Sequence, residues 1–298
     1  MGQLPELLRT APFIGAGADP ERSDLVLFGC PFDGSCSFRA GARHGPAAIR
    51  AVSDVLETYC PVLKDDLGDV AFCDVGDLLL PPGDAEIAID RAYEMAVHVH
   101  ASGQIPAGIG GEHLMSWPLI RAAAEAHENL MVVHFDAHLD LRNEYLGVRL
   151  SHATVMRRVS ESLEPSRILH IAGRSGTKEE FEQVELLGNL MPATVTAAEI
   201  AQWVGDRPLY ATVDLDVLDP SVVPGTGTPE PGGVSFATLQ NWLAGLSACR
   251  WAGWDVMELS PDHDPTQVSS IVSAKIVRTM ILASTAKRRG RVTRHHVN

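Results

Sequence analysis

Short, continuously apolar runs alternate with helix-like segments along almost the whole chain. Runs typical of buried strands occupy residues 25–28, 70–73, 105–109, 131–135, 168–171, 209–213 and 255–259. Segments typical of helices occupy residues 46–59, 85–101, 116–126, 151–162, 178–187, 235–246 and 271–283. Strands that are apolar throughout need cover on both faces, and this alternation favours parallel pairing. We therefore predict an α/β fold of three layers, α/β/α, around a mainly parallel sheet.

The domain organisation predicted from the sequence is simple. The 298 residues contain no linker, low-complexity segment or internal repeat, and 45% hydrophobic with 21% charged residues is ordinary for a globular protein. We expect one domain over residues 1–298. Residues 1–20 would form an N-terminal extension and residues 286–298 a basic C-terminal tail.

Charge and composition restrict the partners that the chain is expected to bind. With 24 Lys and Arg against 38 Asp and Glu, the formal charge of −14 disfavours nucleic acid and anionic membranes and favours approach by a small cation, although such a charge also simply promotes solubility. The five cysteines are an odd number without a CxxC pair, so neither a disulfide framework nor a thiolate zinc site is indicated. No signal-peptide pattern or long apolar stretch stands out. We expect a soluble, cytoplasmic protein.

Ionisable side chains follow three of the predicted strands. His113 follows the strand predicted at 105–109. Asp136, His138 and Asp140 follow the strand at 131–135, and Asp214 and Asp216 follow the strand at 209–213. Loops at the carboxyl ends of parallel strands carry the ligands of open α/β sheets. Alternate residues of an extended segment point the same way, so these side chains are expected to converge.

Such a cluster predicts bound metal. Four crowded carboxylates require compensating positive charge, which two divalent ions would supply. Oxygen-rich ligation with two imidazoles suits manganese better than structural zinc. Each of these segments, taken alone, also has a purely structural interpretation. A DxD pair after a strand often caps a turn, and His113 by itself would more often be a hydrogen-bonded interior histidine. The triplet of Asp136, His138 and Asp140 has few structural uses and favours the metal.

Several segments resemble a known family when they are taken in order. They are GARHGPAAIR at 41–50, GGEH at 110–113, HFDAHLDL at 134–141, SH at 151–152, TVDLDVLDP at 212–220, PGTGTPEPGG at 224–233 and DVMELSP at 255–261. The set resembles the ureohydrolases, the arginase and agmatinase family, over about residues 25–285. The resemblance implies an arginase/deacetylase-like fold and assembly into homo-oligomers, trimers or hexamers.

The resemblance also implies two Mn²⁺ ions, a mechanism and roles for particular residues. One ion would be bound by His113, Asp136, Asp140 and Asp214, and the other by Asp136, His138, Asp214 and Asp216. A hydroxide bridging the ions would attack the guanidinium carbon of the substrate and release urea and an amine. His152 would be the proton shuttle, Asp140 would assist it, and Glu258 would bind the guanidinium.

The substrate is predicted from the loop at residues 141–152. This loop has no Ser or Thr before Ser151, unlike the arginase loop that holds an amino-acid head, and it looks closest to the agmatinase branch. We therefore expect agmatine, hydrolysed to putrescine and urea in polyamine biosynthesis, with Glu144 near its ammonium group.

Alternatives to agmatine remain at this point. Arg149, with Arg142, would instead suit a carboxylate, as in guanidinobutyrate or formimidoglutamate. A catalytically silent metal-binding scaffold and a binuclear phosphoesterase are alternatives of other classes.

Overall fold

A computed structural model describes residues 5–290 of the chain. Its strands are β1 Leu7–Leu8, β2 Leu25–Cys30, β3 Tyr59–Cys60, β4 Asp65–Asp66, β5 Phe72–Leu78, β6 Ile105–Gly110, β7 Met131–Phe135, β8 Ile168–Ile171, β9 Leu190–Met191, β10 Pro208–Asp214 and β11 Arg250–Met257. Its α-helices are α1 Gly45–Ser53, α2 Ala85–Ala101, α3 Ser116–Ala126, α4 Val155–Ser162, α5 Lys178–Leu187, α6 Ala197–Val204, α7 Phe236–Gly245 and α8 Val268–Ala286. The predicted basic tail lies partly outside the described residues, because they end at 290.

Nine strands form one sheet in the order β1-β5-β2-β6-β11-β10-β7-β8-β9. Only the edge strand β1 is antiparallel to its neighbour, and the other pairs of this sheet are parallel. Strands β3 and β4 form a separate antiparallel pair. The mainly parallel sheet is therefore confirmed.

Each face of the sheet is covered by helices. Along β2, Leu25 and Leu27 belong to a core that includes residues of α1, α6, α7 and α8. The intervening Val26 and Phe28 belong to a second core with residues of α2, α3, α4 and α5. Consecutive residues of a strand point to opposite faces, so a strand that is apolar throughout serves both cores. This is the predicted three-layer arrangement.

Helix α8 is the longest of the described helices. It has 19 residues, and its most apolar 18-residue window has a mean hydropathy of 1.2, so it is long and apolar enough to cross a membrane by length and composition alone. However, 78% of its most apolar 18-residue window is buried inside the protein. It packs against α1, α7 and β11, as a core helix of the outer layer does.

Several boundaries differ from the predictions. The predicted helix at 46–59 ends at Ser53, and the helix predicted from 151 begins at Val155, after a 3₁₀ turn at His152–Thr154. Helix α6 and the two-residue strands were missed, because elements this short give no clear period. The strand predicted at 255–259 runs from Arg250 to Met257 instead, so Glu258 lies just beyond it.

Candidate metal centre and active site

The six predicted ligands lie at the carboxyl ends of adjacent strands. His113 follows β6, Asp136 to Asp140 follow β7, and Asp214 and Asp216 lie at the end of β10. In the sheet, β6 and β10 flank β11, and β7 is next to β10. The close packing of Gly111 supports this arrangement, since a Cβ there would lie 1.8 Å from the carbonyl oxygen of Phe32.

Two of the aspartates cap a turn with one oxygen and face the cluster with the other. Asp136 Oδ1 accepts the backbone N–H of His138 at 2.6 Å, and Asp214 Oδ1 accepts that of Asp216 at 2.9 Å. Their Oδ2 atoms lie 3.0 and 3.2 Å from His113 Nδ1. The turn-capping and metal-binding interpretations of the DxD pattern are therefore compatible.

His113 is the centre of the first group of ligands. It is 1% exposed, and its Nδ1 also lies 3.2 Å from Asp140 Oδ2. Among the described residues no hydrogen bond of good geometry satisfies this nitrogen, although three carboxylates surround it. A buried nitrogen aimed between carboxylates without a hydrogen bond suits coordination to a cation.

The second group shares a carboxylate with the first. His138 Nδ1 lies 2.9 Å from Asp216 Oδ2 and 3.5 Å from Asp136 Oδ1. Asp136, His138 and Asp216 can bring one atom each within 4.8 Å of one another, and Asp136 does the same with His113 and Asp140. The structure therefore brings all six predicted ligands together in two groups joined at Asp136.

The pKa values show how strongly this cluster demands positive charge. Burial raises the pKa of Asp214 well above its usual value, with repulsion from Asp216 and Asp136 adding to it. Burial opposes the charge on His113, but its three carboxylate neighbours still raise the pKa of the imidazole well above normal. Without metal the cluster would hold protons between its carboxylates, and divalent cations would replace them. The residues present fit bound metal.

A buried chain of hydroxyls fixes the orientation of His113. Its Nε2 lies 2.9 Å from Thr212 Oγ1, and that hydroxyl donates to Asp255 Oδ1 at 2.6 Å. Ser116 and Tyr210 also donate to Asp255. Because Thr212 has already donated its only proton, it accepts from His113 Nε2–H. In the neutral imidazole, which is the form that binds metal, the single hydrogen is therefore on Nε2, and the lone pair of Nδ1 faces the carboxylates.

His134 was not predicted as a site residue. Its Nε2 lies 2.7 Å from Asp136 Oδ2, and its Nδ1 lies 2.9 Å from Nδ1 of the buried His170. One of its nitrogens also lies within 4.8 Å of ligand atoms from His113, Asp136 and Asp140. The sequence did offer one signal for His134. It lies within the predicted apolar strand at 131–135, where a histidine side chain must be buried and needs a polar partner.

Two functional candidates have left-handed backbone conformations. Asp140 has φ of 53° and Glu258 has φ of 69°. Such angles are uncommon outside glycine and concentrate at functional sites. Glu258 Oε1 accepts the N–H of His113 at 2.7 Å, and burial raises the pKa of Glu258 to about 8, with Glu112 adding to it. Glu258 is thereby fixed beside the metal cluster.

A cavity opens above the cluster. Its lining includes the predicted residues His113, His138, Asp140, His152, Asp214 and Glu258, together with Ser37, Leu139, Arg142, Tyr145, Ala153, Ser175, Gly176, Glu180 and Thr228. His152 contacts Ser35 and Ser37 and stacks edge-on against Tyr145. Burial lowers the pKa of His152, partly offset by Asp140, so its imidazole favours the neutral form. A neutral imidazole thus lines the cavity together with residues of the cluster.

Glu144 and Arg149 are not brought to this cavity, contrary to their predicted substrate-binding roles. Glu144 is exposed on the loop. Arg149 is exposed as well, and its Nη2 donates to both carboxylate oxygens of Glu161, at 2.9 and 3.0 Å. Arg142 does line the cavity, over the ring of Tyr145 and 3.9 Å from Glu180. The charge of Arg149 is thus directed to α4, and Arg149 does not line the cavity.

Comparison with known proteins identifies the family. Residues 23–283 match the arginase family. The chain belongs to the arginase family. An agmatinase from Bacillus subtilis (strain 168) is 38% identical over 275 residues, which are 91% of this chain and 95% of that protein. A proclavaminate amidinohydrolase from Streptomyces clavuligerus is 35% identical over 294 residues, covering 92% of this chain and 91% of that one.

Solved structures of arginase-family proteins have the same fold. An agmatine ureohydrolase of Thermoplasma volcanium has a TM-score of 0.86 at 29% identity, covering 96% of this chain and 98% of that chain. The chain is thus a ureohydrolase, and the predicted resemblance and fold are confirmed. Arginase-family enzymes are binuclear metal hydrolases, which agrees with the His/Asp cluster.

Proposed function

We propose that the chain hydrolyses agmatine to putrescine and urea with two manganese ions at the cluster. The observation that carries the proposal is the convergence of three carboxylates on the unsatisfied Nδ1 of His113, beneath an open cavity. The choice of agmatine is supported by agmatinases that are 38 and 39% identical over 91% of the chain.

The six clustered side chains would hold the metal. His113, Asp136, Asp140 and Asp214 would bind one ion, and Asp136, His138, Asp214 and Asp216 the other. When bound, the pair of ions lowers the pKa of water and so supplies a hydroxide nucleophile near neutral pH. Manganese is favoured because the donors are four carboxylates and two imidazoles, with no thiolate.

Glu258 would orient the guanidinium. Its carboxylate lines the cavity, and the bond from the backbone N–H of His113 fixes its position relative to the cluster. A carboxylate and a planar guanidinium form charge-assisted, often bidentate hydrogen bonds, which hold the reacting carbon in one orientation.

His152 would supply the proton that the departing amine needs. It lines the same cavity as Glu258 and Asp140, and it is neutral near pH 7, so it can accept a proton and transfer it. Asp140, close to both His113 and the cavity, would assist this transfer.

A guanidino acid is the second candidate substrate, because of Arg142. Its guanidinium lines the cavity, whereas the cavity carboxylate Glu180 is already bound by the backbone N–H groups of Leu141 and Thr177. A positive charge beside the tail of the substrate would suit a carboxylate, as in 4-guanidinobutyrate.

Urea release by the purified, manganese-loaded protein tests the proposal. Agmatine, arginine and 4-guanidinobutyrate are compared at equal concentration, each beside a chelated control. Chelator-sensitive urea from agmatine above the other two is the expected result. A preference for 4-guanidinobutyrate would select the second candidate. Absence of urea from a metal-loaded protein would overturn the proposal and favour a silent scaffold.

A further inference from the structure

A buried glutamate outside the ligand set lies behind the proposed proton shuttle. Glu112 is 1% exposed and does not line the cavity. Its Oε2 accepts the backbone N–H of Ser35 at 2.8 Å, and its Oε1 accepts the hydroxyl of Ser35 at 2.6 Å. Both carboxylate oxygens are thus directed at one residue.

Ser35 in turn contacts His152 twice. Its Oγ accepts the backbone N–H of His152 at 3.0 Å and lies 3.3 Å from His152 Nδ1. The hydroxyl has one proton and two lone pairs, and the proton is donated to Glu112. Ser35 Oγ therefore meets the ring only as an acceptor. The hydroxyl of Ser151 lies 3.4 Å from the same nitrogen and can accept from it as well, so we assign the hydrogen to His152 Nδ1.

The Nε2 atom of His152 is then the nitrogen that is free to accept a proton. With Nδ1–H fixed, the neutral imidazole has its lone pair on Nε2, which lies 3.2 Å from Ser37 Oγ in the cavity lining. A neighbouring hydrogen bond generally decides which nitrogen of a histidine is protonated. The chain from Glu112 through Ser35 thus determines which atom of His152 can accept and give a proton.

We infer that Glu112 and Ser35 are positioning residues that hold His152 in the Nδ1–H tautomer, with Nε2 as its proton-transfer atom. This inference rests on the proposed role of His152 in the hydrolysis. Neither positioning residue touches the substrate. Both act through the orientation and tautomer of the imidazole.

Two variants disturb this chain in different ways. Ser35→Ala removes the acceptor of Nδ1–H. Glu112→Gln presents an amide that can donate to Ser35 Oγ, which would free the Ser35 proton to point at His152 Nδ1 and favour the opposite tautomer. Cys36→Ala is the matched control, because Cys36 lies in the same loop without a hydrogen bond to His152 among the described contacts.

A double-mutant cycle with His152→Asn tests the coupling. We expect Ser35→Ala and Glu112→Gln to lower kcat about tenfold or more with KM changed less than about twofold, and Cys36→Ala to leave both unchanged. In the His152→Asn background the same changes should lower kcat further by less than about twofold. Equal losses in both backgrounds would overturn the inference, as would an unchanged kcat. Metal content is measured for each variant, since Glu112 is next to His113.

The tautomer can also be measured without turnover. ¹⁵N spectra of protein with labelled histidine, loaded with diamagnetic Zn²⁺, should show Nδ1 of His152 protonated, with His152→Asn giving the assignment. Protonation at Nε2 in the unchanged protein would overturn the inference. An Nδ1–H tautomer in a protein that releases no urea would instead refute the proposed function and leave the positioning intact.

Discussion

His113 Nε2 lies 2.9 Å from Thr212 Oγ1, and this contact decides which nitrogen of His113 faces the carboxylates. Thr212 pairs with Asp255 in the register of β10 and β11 and donates its proton to that carboxylate. The sheet register, and not the ligand loops, therefore orients the first metal ligand.

Replacing Thr212 by Val should weaken metal binding. The change removes the acceptor for His113 Nε2–H at almost constant volume, so we expect metal affinity to fall about 10–100-fold. Metal competition titration measures it. Thr226→Val is the control, because Thr226 is equally buried and its hydroxyl has no hydrogen-bond partner in residues 5–290. Equal affinity of the two variants would contradict the role of Thr212.

Glu258→Gln should keep its metals and lose activity. The neutral amide forfeits a charge-assisted contact with the guanidinium of about 1.5–3 kcal/mol, so kcat/KM should fall roughly 10–100-fold. Steady-state kinetics and metal analysis on the same preparation separate the two properties. Unchanged kinetics would remove Glu258 from substrate binding.

Arg142 and Arg149 form a matched pair in the substrate loop. Arg142→Ala should raise KM for 4-guanidinobutyrate about tenfold and leave or lower KM for agmatine, since Arg142 lines the cavity. Arg149→Ala should change neither KM by more than about twofold, because its guanidinium is bound to Glu161. An effect of Arg149 alone would show that the loop rearranges around the substrate.

Arg50, the last residue of the family-like segment GARHGPAAIR at 41–50, should be important for stability. It is 2% exposed and donates to Asp74 at 2.8 and 2.9 Å and to Asp77 at 2.5 Å. Arg50→Met leaves the buried carboxylates of Asp74 and Asp77 without their cationic partner, which should lower the free energy of unfolding by about 3–5 kcal/mol. Arg121→Ala, at an exposed pair with Glu125, should lower it by less than about 1 kcal/mol. Denaturant titration that gives equal losses would contradict this difference.

His100 should make stability depend on pH. Burial, and then repulsion from His127, lowers the pKa of His100 to about 4. Between pH 4 and about 6.5 the unfolded chain binds a proton that the folded chain does not, so the free energy of unfolding rises with pH in this window. His100→Leu should make that rise shallower in denaturant titrations at several pH values. Identical slopes would show that His100 does not contribute.

The metal ligands at the strand ends were predictable from the sequence, because each group of them lies within a few residues of an apolar run. Asp136, His138 and Asp140 follow one apolar run, and parallel pairing brings the ends of such runs together. The partners across the sheet were not predictable in this way. Thr212 and Asp255 meet through register, and Ser35 reaches Glu112 because β2 and β6 are neighbours.

The substrate loop was predicted least well, for a related reason. A charge on an exposed loop can bind a substrate or a neighbouring helix, and only the fold decides between them. Arg149 is bound by Glu161 of α4, twelve residues further along the chain. Glu144 is exposed outside the cavity lining.

The central claim is hydrolysis of agmatine by a pair of metals, and a manganese titration of the metal-free protein tests it most directly. Bound manganese and urea release from agmatine are measured on the same samples. We predict that activity rises with bound metal until about two ions per chain and is lost with a chelator. Saturation of the cluster without urea from agmatine would contradict the claim.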